Sequence, residues 1–230
     1  MNRHLLAFLA IFCLIPLGAA RADMSRDCVQ EADSDRRVAG CGEVIESGLW
    51  RGADLSWAYN NRGMAFEAQN NIRRAIQDYD TAIELDPRNA QAFNNRGNAH
   101  ARLGELEKAL ADHDRAIAID ATDPKAFNNR AADHMDMGNH AAALPDLDRA
   151  LLLDPDYGEA IKNRAVARCK TGDVEGAYPE FLRGLDVGKF EPRWLQRFLR
   201  EKGHYGGAID GVFGPGSKSA LRNWVRSGCD

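Results

Sequence analysis

Apolar and small residues return along this chain at three- and four-residue steps, in paired runs separated by short polar breaks. That is the spacing of amphipathic helices. Between residues 56 and 157 the pairs themselves repeat. Asn60-Asn61-Arg62-Gly63 returns as Asn94-Asn95-Arg96-Gly97, then as Asn128-Asn129-Arg130-Ala131, and weakens to Lys162-Asn163-Arg164-Ala165, each step being 34 residues. A second marker keeps the same register: Leu85-Asp86-Pro87, Ile119-Asp120-Ala121, Leu153-Asp154-Pro155. A fixed period of this size predicts stacked helix pairs. In the first copy the pattern predicts helices over 57–69 and 72–85, with Asn70-Asn71 in the turn; later turns carry Gly104, Gly138 and Gly172, which suit a left-handed backbone. Small residues fall where the two helices must touch: Gly63 with Ala75 and Ala82, Gly97 with Ala109 and Ala116, Ala131 with Ala143 and Ala150. Tyr59, Phe66, Tyr79, Phe93 and Phe127 fill the remaining space, and Pro87 and Pro155 stop the second helices.

These boundaries divide the chain into repeats at 56–89, 90–123 and 124–157, with a degenerate fourth at 158–191. In the fourth, Gly184 takes a small slot, no Asp-Pro closes the unit, and Pro179 is expected to interrupt the second helix. Residues 23–55 read as a degenerate leading half-repeat, with Val38, Cys41 and Ile45 on one helical face. Residues 192–230 differ in kind. Trp194, Leu195, Phe198 and Leu199 form a short amphipathic run, a glycine-rich loop follows, and Ser217 is placed to cap a last helix through Ala220, Leu221 and Trp224.

The repeats resemble the tetratricopeptide repeat (TPR) family in their small-residue slots and closing Asp-Pro. The resemblance implies an all-α fold, a right-handed α-solenoid of helix pairs whose first helices line a concave groove for peptides or proteins. It places Asn60, Asn94, Asn128 and Lys162 in that groove, with Asn98 one turn further on and Lys125 and Gln91 near the helix starts. Amides both donate and accept, so a ladder of them suits the backbone of an extended peptide; the alternative is that they tie neighbouring helices together. The end of the chain resembles the small helical peptidoglycan-binding-like domain of bacterial cell-wall proteins, through Leu195-Gln196, Tyr205, Ile209-Asp210-Gly211, Phe213-Gly214 and Ala220-Leu221. Within that motif Gln196, Tyr205, Asp210, Gly211, Phe213 and Gly214 are the candidate residues for cell-wall contact. The closing helix usual in such domains is missing from the pattern, and Cys229 is expected to fasten the end instead.

The start of the chain reads as a secretory signal over residues 1–22. Arg3 and His4 precede an apolar run from Leu5 to Leu17, and Ala20-Arg21-Ala22 sets up cleavage before Asp23. A periplasmic or secreted location is therefore expected, with no membrane span once the signal is removed. In an oxidising compartment Cys28, Cys41, Cys169 and Cys229 are expected as disulfides. Three pairings are possible; nearness in sequence favours Cys28 with Cys41, which leaves Cys169 with Cys229.

Charge adds an asymmetry. The whole chain carries a formal net charge of −4, yet residues 192–230 hold seven basic and three acidic side chains. A basic end on an acidic body suggests two separate jobs. Repeated arginine on first helices and Asp78-x-Asp80, Asp112-x-Asp114 and Asp146-x-Asp148 on second helices predict a charge ladder between them. No Ser-His-Asp arrangement or phosphate-cradling glycine loop is present, so no catalytic residue, cofactor or nucleic-acid partner is assigned. The function expected is a non-catalytic adaptor that holds a protein or peptide in its groove and peptidoglycan through its C-terminal module. Two alternatives stay open: a purely structural assembly subunit, and a metal-binding protein or hydrolase using His100, His113 and His134.

Overall fold

The computed structural model describes residues 26–29 and 32–229, so the expected signal segment and its cleavage point lie outside the described residues. Among the described residues a single helical turn at 26–29 is followed by eleven helices and no strand. They are α1 (Ser34–Glu46), α2 (Ala53–Ala68), α3 (Ile72–Leu85), α4 (Ala90–Arg102), α5 (Leu106–Ile119), α6 (Pro124–Asp136), α7 (His140–Leu153), α8 (Gly158–Lys170), α9 (Val174–Asp186), α10 (Pro192–Glu201) and α11 (Pro215–Arg226). Four antiparallel pairs result: α2/α3, α4/α5, α6/α7 and α8/α9.

The local causes are visible in each turn. Asn70 closes α2 with φ 59°, in the place that Gly104 (φ 76°), Gly138 (φ 79°) and Gly172 (φ 86°) hold later. Asparagine is one of the few residues that enters this region readily. Helix starts are capped where a short polar side chain precedes them: Asn89 accepts from the Ala92 amide at 3.0 Å, and Asp173 from the Gly176 amide at 2.9 Å. Helix contacts depend on the small slots. Ala75, Ala82, Ala109, Ala116, Ala143 and Ala150 are all buried.

First helices of successive repeats pack on one another, α2 on α4, α4 on α6 and α6 on α8, whereas second helices meet mainly the first helices on either side. Elements that approach more closely lie on the inner side of a curve. The first helices therefore form the inner layer and the second helices the outer one.

Three expectations are corrected. In α1 the buried positions are Gly40, Cys41 and Val44, while Val38 and Ile45 are only partly covered. The face is turned because the 26–29 segment lies against Gly40, where a Cβ would come within 2.8 Å of the Asp27 side chain. Pro179 does not interrupt the second helix of the fourth repeat; α9 runs through it, as α7 runs through Pro145. Each proline stands on the exposed side in the first half of its helix. The carbonyls it leaves without an amide, those of Ala141 and Glu175, belong to exposed residues that water reaches. Ser217 does not cap α11, which starts behind Gly214 with Pro215 at its first position. Ser217 is buried, with its Oγ 3.2 Å from Gln196 Nε2.

The C-terminal helices are not a separate body. One apolar cluster runs from Phe127 through Leu147, Ile161 and Phe181 to Leu195, Leu221 and Trp224. The Trp224 ring sits edge-on to Phe181 at 5.3 Å and to Phe198 at 4.9 Å, joining α9, α10 and α11. The sulfurs of Cys169 and Cys229 are joined, as are those of Cys28 and Cys41. The first of these bonds ties the end of α8 to the end of the chain.

Candidate binding surface

The repeated Asn-Asn-Arg divides its labour within one helical turn. Asn60, Asn94 and Asn128 are buried, and each lends its Oδ1 to the side-chain amide of the second asparagine one repeat on: Asn95 at 2.9 Å, Asn129 at 3.0 Å and Asn163 at 3.0 Å. The ladder thus joins first helix to first helix. Asn60 also directs its Nδ2 toward Gln91 Oε1 at 3.4 Å. These bonds tie neighbouring helices together, as the alternative stated from the sequence describes. The groove positions with side chains open to solvent are Gln91, Lys125 and Lys162. Asn98 is half-buried and accepts from or faces His113 Nε2 at 3.2 Å.

The arginines form the expected charge ladder, with geometry that sequence spacing alone does not supply. Arg96 grips Asp112 with two parallel bonds, Nε–Oδ2 2.8 Å and Nη2–Oδ1 2.6 Å, and reaches back to Asp80 of the preceding repeat with Nη1 at 2.6 Å. Arg130 repeats this with Asp146 and Asp114, and Arg62 holds Asp78. In the fourth repeat Arg164 joins Asp148 and Glu180. Each arginine after the first therefore bolts its own second helix to the one before it. The hydrogen bond to Asp112, set against the cost of burial, holds the Arg96 guanidinium above its ordinary pKa. Such charge-assisted bidentate pairs fix orientation as well as contributing energy.

The histidines do not form one centre, which corrects the metal-site alternative. His113 is fully buried, with Nδ1 2.6 Å from Asp133 Oδ2, and it fills the slot that Tyr79 fills in the first repeat. His100 pairs with Glu105 through Nδ1 at 2.7 Å. Among the described residues no group of three His, Cys, Asp or Glu side chains converges in a way that would hold a metal ion. A ring-filling histidine satisfied by a neighbouring carboxylate meets the packing need by itself.

The C-terminal motif residues meet around one buried amide, with Asp210 exposed at the edge of the loop. Gln196 is fully buried. Its Oε1 accepts from the Gly211 amide at 3.0 Å, while its Nε2 faces Asp210 Oδ1 at 2.9 Å and the Val212 carbonyl at 3.1 Å. Gly211 has φ 82°, and a Cβ there would press on the Arg193 side chain at 3.1 Å. Tyr205 donates to the Ala208 carbonyl at 2.8 Å. The hydrogen bonds from Gln196 and then from the Val212 amide hold the Asp210 carboxyl below its ordinary pKa. Phe213 and Gly214 are half-buried beside this hub. Gln196, Asp210 and Gly211 build the loop, with Gln196 inside it and Asp210 open to solvent.

A pocket that the repeat pattern did not foreshadow opens where the solenoid meets this module. It has a volume of about 580 Å³ and is lined by residues of three elements, among them Lys162 of α8, Lys189 and Phe190 of the 187–191 connection, and Trp194 and Arg197 of α10. The signal available in the sequence was weak: a glycine opposite each of two incoming side chains, Gly158 for Lys189 and Gly184 for Phe190.

The geometry is that of a helix-pair repeat solenoid with a helical end module packed on its last pair. Residues 60–124 and 124–157 match two tetratricopeptide-repeat family models. No curated protein matches the chain. Among solved structures, the chain is similar to MamA, at 18% identity and a TM-score of 0.60 over 75% of this chain and 95% of that one. It is also similar to YrrB, described as a TPR protein with an unusual peptide-binding site, at 20% identity and a TM-score of 0.57 over 71% and 82% of the two chains. A tetratricopeptide repeat protein from Parabacteroides merdae aligns at 18% identity and a TM-score of 0.65 over 79% and 71%. The family matches and the shared fold support a tetratricopeptide-repeat protein whose recognised repeats occupy residues 60–157. Among the described residues no helix is long and apolar enough to cross a membrane.

Proposed function

We propose that this protein is an exported, non-catalytic adaptor of the cell envelope, whose inner face holds an extended segment of a partner protein. The observation that carries the reading is the inner layer itself. First helices line one side in 34-residue register, and Gln91, Lys125 and Lys162 stand open along it while the amides beneath them are tied down. A surface pre-organised in this way loses little freedom on binding. The peptide-binding description of one structural relative supports the same reading.

The C-terminal module is the proposed anchoring half, on cell-wall material whose stem peptides carry carboxylates. Its support is the basic surplus of residues 192–230, where all seven lysine and arginine side chains are exposed. Linking two modest sites in one chain raises the effective concentration of the second.

Photo-crosslinking in cells tests the inner-face reading. A photoreactive amino acid at position 91 or 125 is expected to trap a protein partner, and one at position 152, on the exposed outer layer, is not. Equal yields at all three positions would overturn it. The anchoring half is tested by sedimenting the full chain with purified sacculi, where equal recovery in the supernatant with and without sacculi would remove it.

A further inference from the structure

The pocket between the fourth repeat and the C-terminal module is a built feature rather than a gap. Its wall is the connection at residues 187–191, and two glycines let that connection dock. A Cβ on Gly158, at the start of α8, would meet the Lys189 side chain at 2.9 Å, and one on Gly184 of α9 would lie 2.1 Å from the Phe190 ring. Gly188, at φ 68°, turns the chain between α9 and this wall. Lys189 therefore rests its aliphatic stem on α8, and Phe190 is pressed into the base of the pocket, buried at 6% exposure.

Two properties of the lining point to a ligand. The first is charge. Arg62, Arg96, Arg130 and Arg164 of the repeats each answer carboxylates, but Lys162, Lys189 and Arg197 form no ion pair among the described residues. They come from α8, the connection and α10 and meet around one opening. Two acids share the lining, Glu159, which accepts from the Tyr157 hydroxyl at 2.8 Å, and Glu191, so the three cations leave a surplus of one positive charge. The second property is apolar. Trp194 is 41% exposed although it belongs to a row of rings, 6.4 Å from Phe190 and stacked on Phe198 at 5.6 Å. One indole face is already covered by Phe198, which leaves an end of the row open to the pocket.

We propose that this junction pocket binds an acidic peptide segment, with a ring or large apolar side chain extending the Phe190–Trp194 row and carboxylates met by Lys162, Lys189 and Arg197. Cations from separate rigid elements around an apolar floor give electrostatic selection on top of area burial. Lys162 also belongs to the inner face, so the peptide enters along the groove and ends at the module. The inference rests on the inner-face reading only for that direction of approach.

The test uses the full oxidised chain and a fluorescent probe, the peptide Gly-Ser-Gly-Glu-Phe-Glu-Asp, followed by anisotropy. Saturable binding that weakens with salt is expected, with affinity reduced about tenfold or more by Arg197→Glu, by Lys162→Glu and by Trp194→Ala. Arg73→Glu, a charge reversal on the exposed outer layer far from the pocket, should leave it unchanged, and circular dichroism checks that each variant is folded. Three results would overturn the proposal: no binding of the probe, equal losses in Arg73→Glu, or tighter binding of a soluble disaccharide-peptide fragment of the cell wall than of the probe. The two readings fail separately. Probe binding without crosslinks at positions 91 and 125 removes the inner-face reading and keeps the pocket; crosslinks without probe binding do the reverse.

Discussion

A Cβ on Gly63 would come within 2.6 Å of the Tyr79 ring, and one on Gly97 within 2.6 Å of the His113 ring. In the third repeat Ala131 stands at this slot and Leu147 replaces the ring, with both fully buried. Glycine is thus kept where a ring lies flat on the first helix. Gly63→Ala should destabilise the fold by about 1–3 kcal/mol through overpacking, although alanine is the better helix former. A lower urea midpoint with an unchanged slope checks this. Tyr79 itself is buried and donates its hydroxyl to Glu67 at 3.0 Å; burial first, then that carboxylate, pushes its pKa far above the ordinary value. At the other end of the chain, Asp210 titrates below its ordinary 3.8 because Gln196 and the Val212 amide bond its charged form. A folded-state pKa below the unfolded one means a contribution present above that ordinary value and lost as pH falls through the lowered one. Tryptophan emission from the C-terminal module is therefore expected to change in that acid range, and Asp210→Asn should remove this part of the transition. An acid profile identical in both proteins would contradict the assignment.

Between elements, the arginine ladder and the asparagine ladder set how repeats stack. Their residues were legible in the sequence because each recurs every 34 positions. Which asparagine is buried was not, since two adjacent helical residues differ by only 100° and the neighbouring repeat decides which is covered. The Arg96 pair illustrates an unequal division. Asp112 is buried and Asp80 is about half exposed at its side chain. Asp112→Ala should cost about 1–3 kcal/mol, because a half-buried guanidinium loses its bidentate partner. Asp80→Ala should cost less than about 1 kcal/mol, since an exposed pair is screened by water. Thermal or urea denaturation of the two variants measures the contrast, and similar losses in both would refute it. The two helix-interior prolines, Pro145 and Pro179, also lie 34 residues apart. That shared slot was a readable sign that the position tolerates proline, because it lies near the helix start and faces water.

At the scale of the whole molecule, the end module is held to the last repeat by shared aromatic packing and by the Cys169–Cys229 bond. The bond spans a sequence separation of 60, against 13 for Cys28–Cys41. Closing the longer loop restricts the unfolded chain more, by ~4 kcal/mol against ~3 kcal/mol in the chain-entropy account. Cys229→Ser should therefore lower stability more than Cys28→Ser, and it should increase proteolysis after the basic residues of 192–226. Limited trypsin digestion with mass spectrometry reads both effects, and equal resistance of the Cys229→Ser variant and the parent would show that aromatic packing alone holds the module.

Periodicity, small-residue slots and turn residues were enough to determine the helix pairs, their order and the residues of both ladders, because those features depend on spacing along a single helix or between neighbours in sequence. Burial, pairing direction and the junction pocket depend on residues brought together from far apart. The sequence carried Gly158, Gly184, Lys189, Phe190 and Trp194 without any repeat linking them. Only the docking of one connection on two glycines placed three cations around an aromatic floor. The same holds for Gln196: the motif was plain in the chain, but the hydrogen-bonded loop turned this side chain inward toward Asp210 and Gly211, since a buried amide must find its partners within the fold.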